Sequence, residues 1–510
     1  MNRNAPFVRK IIYATSIVVL LVPLFWLGQP ATRDNDGTTV QGGGRLALLR
    51  VEHRLSQAQL GNIDPTSESM RLATVGLRGP AASFLWHKAL VYQRKKNWDA
   101  LSATVNQIIK LQPNFIGIWE FQSHNLSYNI SADFDDYRHR YHWVKKGIDF
   151  LCLGNKYNRD EPRLLHYTGW FIGHKLGNAD EKVEFRKMFR DDNDYHALLR
   201  DEMEIFDQDM DSRDAQSRDQ KYDNWLVSRL WYLQAVRAVD YLGRSLRGKS
   251  PLIFHSDPAK SRINYADAIE EEGQFGEVAQ NAWERAGIEW QAFSARPIPS
   301  SWGTMLRLNA IEEANKRLRE LRDDLKSLSP DLEAQIVDER TRRLSADRLV
   351  IWETLEEDRQ AFTFEDWNAY YMIQRELYVT NGDLARRSPK KARDQAQQVL
   401  RRINRQMQRV SRVDGYRRTV NFDYWETRCR VEQSAEATKA REHGFLAMEH
   451  YDEARLELAK EEFENGWREW LKVLGQFPEM KSHETRTELD MTMKAYKQTL
   501  VHLGEDPPKF

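Results

Sequence analysis

Cysteine is almost missing from this chain: Cys152 and Cys429 are the only two in 510 residues. Two are too few for a disulfide framework, and their separation excludes a Cys-x-x-Cys metal knuckle. Either they pair in an oxidising compartment or they are two separate buried thiols. Charge of one sign is also missing. Lys plus Arg and Asp plus Glu each number 76, so no overall field draws the chain onto nucleic acid. Strand signals are scarce, with little Val/Thr alternation and no Asn-Gly or Asp-Gly hairpin between alternating apolar residues. The spacings that carry common chemistry are absent: no G-x-x-x-x-G-K-[ST], no G-x-G-x-x-G after a strand, no C-x-x-C-H and no G-x-S-x-G. There is no H-E-x-x-H either; the one His-Glu step is His483–Glu484. The expectation is therefore of no enzyme, no catalytic residue, no cofactor and no metal.

Apolar residues make up 41% and charged residues 30% of the chain, enough to bury a core and too apolar for disorder. Aromatics are plentiful, at 16 Trp, 19 Tyr and 21 Phe. In a helical protein most such rings wedge between helices and some line grooves. Residues 11–27, IIYATSIVVLLVPLFWL, carry no charge. With Gly28 they reach the minimum for a bilayer core, where about 17–25 residues are needed. Arg3, Arg9 and Lys10 precede them, while the far flank is mixed in sign. The positive-inside rule puts residues 1–10 in the cytoplasm and the body outside it, held to the cell membrane by a single-pass signal anchor at 11–28. Cleavage is disfavoured, because a cut after Ala31 leaves Gln29 at −3 and one after Gly28 leaves Trp26 there.

Beyond the anchor the reading is all-α. Residues 29–66 are a Gly-rich tether followed by a first amphipathic helix, Arg45 to Leu60. Residues 67–200 read as helix, short turn, helix. Residues 201–300 continue in helices, broken by a Pro-containing loop, GKSPLIFHSDPAKSR, and ARPIPSSWG (Ala295 to Gly303) marks a boundary. Residues 301–430 hold long charged helices, split at Ser329–Pro330, and a basic run from Arg386 to Arg418. The 304–361 helices offer a surface for self-association. Residues 431–510 return to hairpins.

The stretch Ser83 to Pro113, SFLWHKALVYQRKKNWDALSATVNQIIKLQP, resembles a tetratricopeptide repeat. With Pro113 closing the unit, Ala89 takes the small position of the first helix, Tyr92 the aromatic position after it, and Trp98 the aromatic opening the second; Val105 and Ile108 follow. Leu101 departs from the pattern. A second copy places Gly169 at the small position and Ile172 where the family has Tyr. A third, YDEARLELAKEEFENGWREWLKVLGQFP, matches at Ala454, Phe463, Gly466 and Trp470, with Glu457 against the pattern, and Pro478 closes it. A weaker echo carries Ala266, Gly273 and Ala286. The resemblance implies stacked helical hairpins, a tetratricopeptide-like α-solenoid with long additional helices, of the kind found in single-pass bacterial envelope proteins.

That resemblance implies a protein or peptide partner in a groove lined by Trp86, Gln93, Arg94, His166, Trp170 and His174, and so a non-catalytic scaffold. Two other functions remain open: a helical-toroid enzyme acting on a polysaccharide, and a multimeric spacer or assembly factor. His139 and His142, three apart, lack an acidic or thiol partner for a metal. Adjacent carboxylates such as Asp191–Asp192 splay around a helix and argue for solvation. The basic run at 386–418 reads as a solvated face or as a site for anionic lipid headgroups, acidic polymers or the acidic 350s of the same chain, and nucleic acid is not expected there.

Overall fold

The structure is a computed structural model that describes residues 78–204, 210, 212–354, 362–481 and 483–507, with a few single positions before residue 42. The expected helix Arg45 to Leu60 and most of the anchor therefore lie outside the described residues. Within the anchor, the described positions Tyr13, Thr15, Ser16 and Val19 are helical. Among the described residues no helix is long and apolar enough to cross a membrane. Inside the expected tether, Thr32–Arg33 pairs antiparallel with Val40–Gln41.

The all-α reading holds. The chain divides into two compact units, Met1–Ala286 with Glu432–Gln476 and Leu489–Phe510, and Gly287–Val431 with Phe477–Glu488. The first contains helices α1 (Arg78–Arg94), α2 (Trp98–Leu111), α3 (Ile116–His124), α4 (Tyr137–Tyr157), α5 (Pro162–Trp170), α6 (Lys182–Asp191), α7 (Asn193–Glu204), α8 (Asn224–Asp240) and α9 (Pro251–Glu271). Helix α10 (Glu277–Ala295) runs through the division. The second unit holds α11 (Ile311–Ser327), α12 (Leu332–Thr341), α13 (Ala346–Glu353), α14 (Phe364–Leu377), α15 (Asn381–Arg387), α16 (Arg393–Thr419) and α17 (Phe422–Val431). Helices α18 (Ala435–Asp452), α19 (Leu456–Gln476) and α20 (His483–His502) end the chain. A two-residue ladder, Ile298–Pro299 with Met305–Leu306, occupies the expected boundary.

Local chemistry explains the starts. Asn97 accepts from the Ala100 N–H to open α2, and Asp136 accepts from Arg138 to open α4. Thr363 with Asp366 and Thr380 with Asp383 form reciprocal capping boxes at α14 and α15. The expected hairpin at 83–113 forms as α1 and α2. Its Ala89, Leu101, Val105 and Ile108 are fully buried, and Tyr92 and Trp98 pack on the same core.

Two expectations are corrected. GKSPLIFHSDPAKSR is not a loop: from Pro251 onward it is the first half of α9. Pro251 sits at the start, where its missing N–H costs nothing. Pro258 lies inside the helix, so the Phe254 carbonyl loses one backbone partner, a cost that the burial of Phe254, Ala259 and Ile263 outweighs. The third repeat copy is offset. Ala454 is not on a helix but in the α18–α19 turn, at φ +58. Phe463, Gly466 and Trp470 all lie on the single 21-residue α19, and a hairpin forms there with α18 as its first arm. The weaker echo is the α9–α10 hairpin, turned by Gly273 at φ +79.

The core of the first unit surrounds α8, buried on nearly every side. Trp225, Trp231 and Tyr232 of α8, Trp119 of α3 and Phe171, Phe185 and Phe189 are almost wholly enclosed. Each such ring contributes on the order of 2–3 kcal/mol by leaving water. In the second unit Leu318, Leu321 and Leu325 of α11 form a stripe covered by Ala396, Val399 and Ile403 of α16. Cys152 and Cys429 are both buried.

Candidate functional site

Helices α3 and α5 share an unusual ending. Each runs on into a π-helical segment, Asn125–Ile130 after α3 and Phe171–Lys175 after α5. The wider turn displaces carbonyls from their ordinary partners, and π-bulges concentrate at functional sites. Here α8 supplies replacements. Ser228 Oγ donates to the Gly169 carbonyl at 2.6 Å, and Asn224 Nδ2 to those of Ile172 and Gly173 at 3.2 and 3.0 Å. Glycine permits this approach: a Cβ on Gly169, Gly173 or Gly177 would lie within 3.0 Å of Ser228, Tyr232 or Trp225. A second amide network ties down the other bulge. The buried Asn125 Oδ1 accepts from Gln93 Nε2 at 2.8 Å and from Asn129 Nδ2 at 2.6 Å.

These fixed ends carry a run of rings on one face. His124 stacks on Tyr128 (centroids 4.6 Å), Tyr128 lies beside Trp170 (6.0 Å), and Trp170 is flanked by Tyr167 (5.9 Å) and His174 (5.7 Å). The interplanar angles along this run are all 26° or less. Apart from the exposed His124 the rings are half-buried. Two ammonium groups lie over it, Lys175 at 4.4 Å from the Tyr128 centroid and Lys249 at 5.8 Å from that of Tyr167, an arrangement in which the electron-rich ring face attracts the cation.

Behind Tyr167 sits His166, 6% exposed, between Phe254 (5.3 Å, stacked) and Tyr232 (4.8 Å). Both of its nitrogens are engaged. Nε2 is 2.6 Å from Asp257 Oδ2 and Nδ1 is 2.8 Å from Lys249 Nζ. The tautomer that lets Asp257 accept at one nitrogen and the Lys249 N–H donate to the other is the neutral imidazole with its proton on Nε2. Burial depresses His166 below the usual imidazole range, against the pull of Asp257. Burial also lowers His174, Lys175 and Lys249, because each charged form loses water on this face.

The structure thus gathers His166, Trp170 and His174, and Gln93 braces the bulge that carries Tyr128. The other two expected groove residues are elsewhere. Trp86 packs edge-on to Phe115 and Phe121, at 5.5 and 4.7 Å. Arg94 is exposed and its Nε donates to the Leu90 carbonyl of its own helix. Sequence reasoning missed Tyr128, Tyr167, Lys175, Lys249 and Asp257. The spacing Tyr167, Trp170, His174 already marks one helix face. Lys249 and Asp257 carry no local signal, since they arrive from the segment misread as a loop.

His139 is edge-on to Phe134 and His142 to Trp143. No group of three metal-binding side chains occurs among the described residues. A wider cleft of about 720 Å³ opens between α4 and α6. Its Lys145 and Asp192 pair at 2.5 Å. No protein-family model, curated protein or solved structure matches the chain.

Proposed function

We propose that this chain is a membrane-tethered, non-catalytic scaffold that takes a protein or peptide partner on the ring-lined face of α3 and α5. The observation that supports it is the run His124–Tyr128–Trp170–His174 with Tyr167. Its rings lie open on one side and are held from behind by two side-chain amide networks. Rigid, half-exposed aromatic rings are what interface anchors are made of. In this reading the successive hairpins are divergent tetratricopeptide-like repeats. Residues 11–28 anchor the chain in the cell membrane, with the N-terminus cytoplasmic and the body outside.

The polysaccharide-enzyme alternative needs two carboxyl groups available across a cleft. Two carboxylates beside the rings are already occupied: Glu120 grips Arg163 at 2.6 and 2.5 Å, and Asp257 holds His166. The spacer alternative asks for an open apolar stripe on the 304–361 helices, and α16 of the same chain covers that of α11.

The test is crosslinking of the full-length protein in its membrane, with mass spectrometry of what is captured. Changing Tyr128, Trp170 and His174 together to Ala removes the partner, while Trp86→Ala with Arg94→Ala leaves it in place. Equal capture by both variants, or self-crosslinks alone, rejects the assignment.

A further inference from the structure

Lys249, His166 and Asp257 form a relay that the scaffold reading does not use. In nucleophilic sites, an attacking group hydrogen-bonds a base, and a third group orients that base. All three elements are here. Lys249 Nζ meets His166 Nδ1 at 2.8 Å, and His166 Nε2 meets Asp257 Oδ2 at 2.6 Å. The imidazole cannot swing away, because Phe254 and Tyr232 hold its two sides. Lys249 itself stays reachable: it is half-buried, with exposed Gly248 and Ser250 beside it.

We infer that Lys249 is a reactive amine that captures a carbonyl-bearing ligand, an aldehyde or ketone, as an imine. The nitrogen lone pair forms the N–C bond while the carbonyl π pair moves to oxygen. One nitrogen proton passes to His166 Nδ1, and Asp257 stabilises the imidazolium; His166 then returns the proton to the alkoxide. In the second stage the nitrogen expels the hydroxyl, and its remaining proton travels through the same imidazole to the departing oxygen. One imine and one water result, with no oxidant or reductant.

The electrostatics favour the neutral amine that this needs. Burial is the largest influence on Lys249 and lowers it; Glu120 and Asp257 oppose, and Arg163 adds to the lowering. Around His166 burial again leads, with Asp257 opposing and Lys249 adding. Tyr232 and Tyr167 beside the relay are both pushed up by burial and stay neutral, and His174, which feels Asp257, Lys260 and His166, is lowered chiefly by burial. Lys175 is an internal control. It too is lowered by burial and lies over a ring, but on Tyr128, where it acts on the His124 imidazole through charge and not through a hydrogen bond among the described residues.

The experiment treats the full-length protein with benzaldehyde and cyanoborohydride between pH 6 and 9, and maps modified lysines by mass spectrometry. At pH 7, Lys249 is trapped at least about tenfold faster than exposed Lys95 and faster than Lys175, a modest share of what a positioned base can supply. His166→Gln and Asp257→Asn bring Lys249 down to the Lys175 rate, and Lys249→Arg removes the adduct. Circular dichroism and melting of each variant confirm folding, and Lys175 labelling within the variant reports whether the face is intact. Two results overturn the proposal: Lys249 labelling no faster than Lys175 in the parent, or a folded His166→Gln variant that labels Lys249 at the parent rate. Neither bears on partner capture, which the crosslinking experiment reads separately.

Discussion

Alanine in place of glycine should act with opposite signs at two helical positions of the first unit. Gly147 lies in the middle of α4. A Cβ there would meet Ser127 Oγ at 1.9 Å and the Ser123 carbonyl at 2.8 Å. The hydroxyl can rotate, but it then abandons the Val144 carbonyl, to which it donates at 3.2 Å; the Ser123 contact is backbone and cannot. Overpacking of this kind costs about 1–3 kcal/mol. Loss of a buried hydrogen bond adds about 1 kcal/mol, and the helical preference of Ala over Gly returns about 1 kcal/mol. The net expectation for Gly147→Ala is a loss of about 1–3 kcal/mol. Gly444 is the contrast. It lies mid-helix in α18, and nothing stands within 4 Å of its would-be Cβ, so Gly444→Ala gains up to about 1 kcal/mol. Urea unfolding of the full-length protein, followed by tryptophan fluorescence and circular dichroism, measures both. Ser127→Ala added to Gly147→Ala should recover part of the loss, because the two residues share one contact. If Gly147→Ala proved as stable as Gly444→Ala, the close approach of α3 and α4 that fixes the first π-bulge would be wrong.

Other consequences follow from buried charge and packing. Arg186 is 3% exposed and binds Asp223 (2.9 Å), Glu272 (2.7 Å) and Asn224 (2.5 Å). Arg186→Met strands Asp223, itself 1% exposed, and should cost about 3–5 kcal/mol in the same unfolding assay. Burial raises Glu272, but the hydrogen bonds of Arg186 and Arg190 outweigh it and hold the carboxyl below its ordinary value of 4.5. Its contribution is therefore full above that value and lost as pH falls below it, and Arg186→Met should flatten that limb of a stability–pH curve. His166, His174 and His196 are all held below 6.5, chiefly by burial. The unfolded chain binds their protons more readily, so stability should decline as pH drops through 6.5, and a urea midpoint equal at pH 7.5 and 5.5 would contradict this. In the second unit Ile403 is fully buried against α11, and Ile403→Ala should cost about 2–5 kcal/mol, read as a lowered melting temperature.

The all-α architecture was legible because it rests on local signals. Helical spacing of apolar residues, Pro113 after α2 and the Ser/Thr/Asp/Asn caps each act within a few residues, and the α1–α2 hairpin formed where they placed it. Where two local signals conflicted, tertiary contacts decided. The prolines of residues 248–262 read as a breaker, yet burial of Phe254 and Ile263 against the core carries the helix through Pro258. Ala454 matched a helical repeat position, but the α18–α19 pairing turned the chain there instead.

The candidate site divides along the same line. Tyr167, Trp170 and His174 share a face through helical periodicity alone, so sequence could bring them together. The π-bulges could not be read, because the one after α5 arises where α8 offers Ser228 and Asn224 to displaced carbonyls some fifty residues back along the chain, and the one after α3 is held by Gln93 from another helix. Nor could the His166 relay, whose lysine and aspartate stand 83 and 91 residues away. The sequence by itself determined helices, turns and which residues could share a helix face, since those depend on backbone geometry and side-chain period. Only the tertiary structure decided which faces met, which carbonyls were freed and which charges lost their water, because those depend on contacts between distant segments.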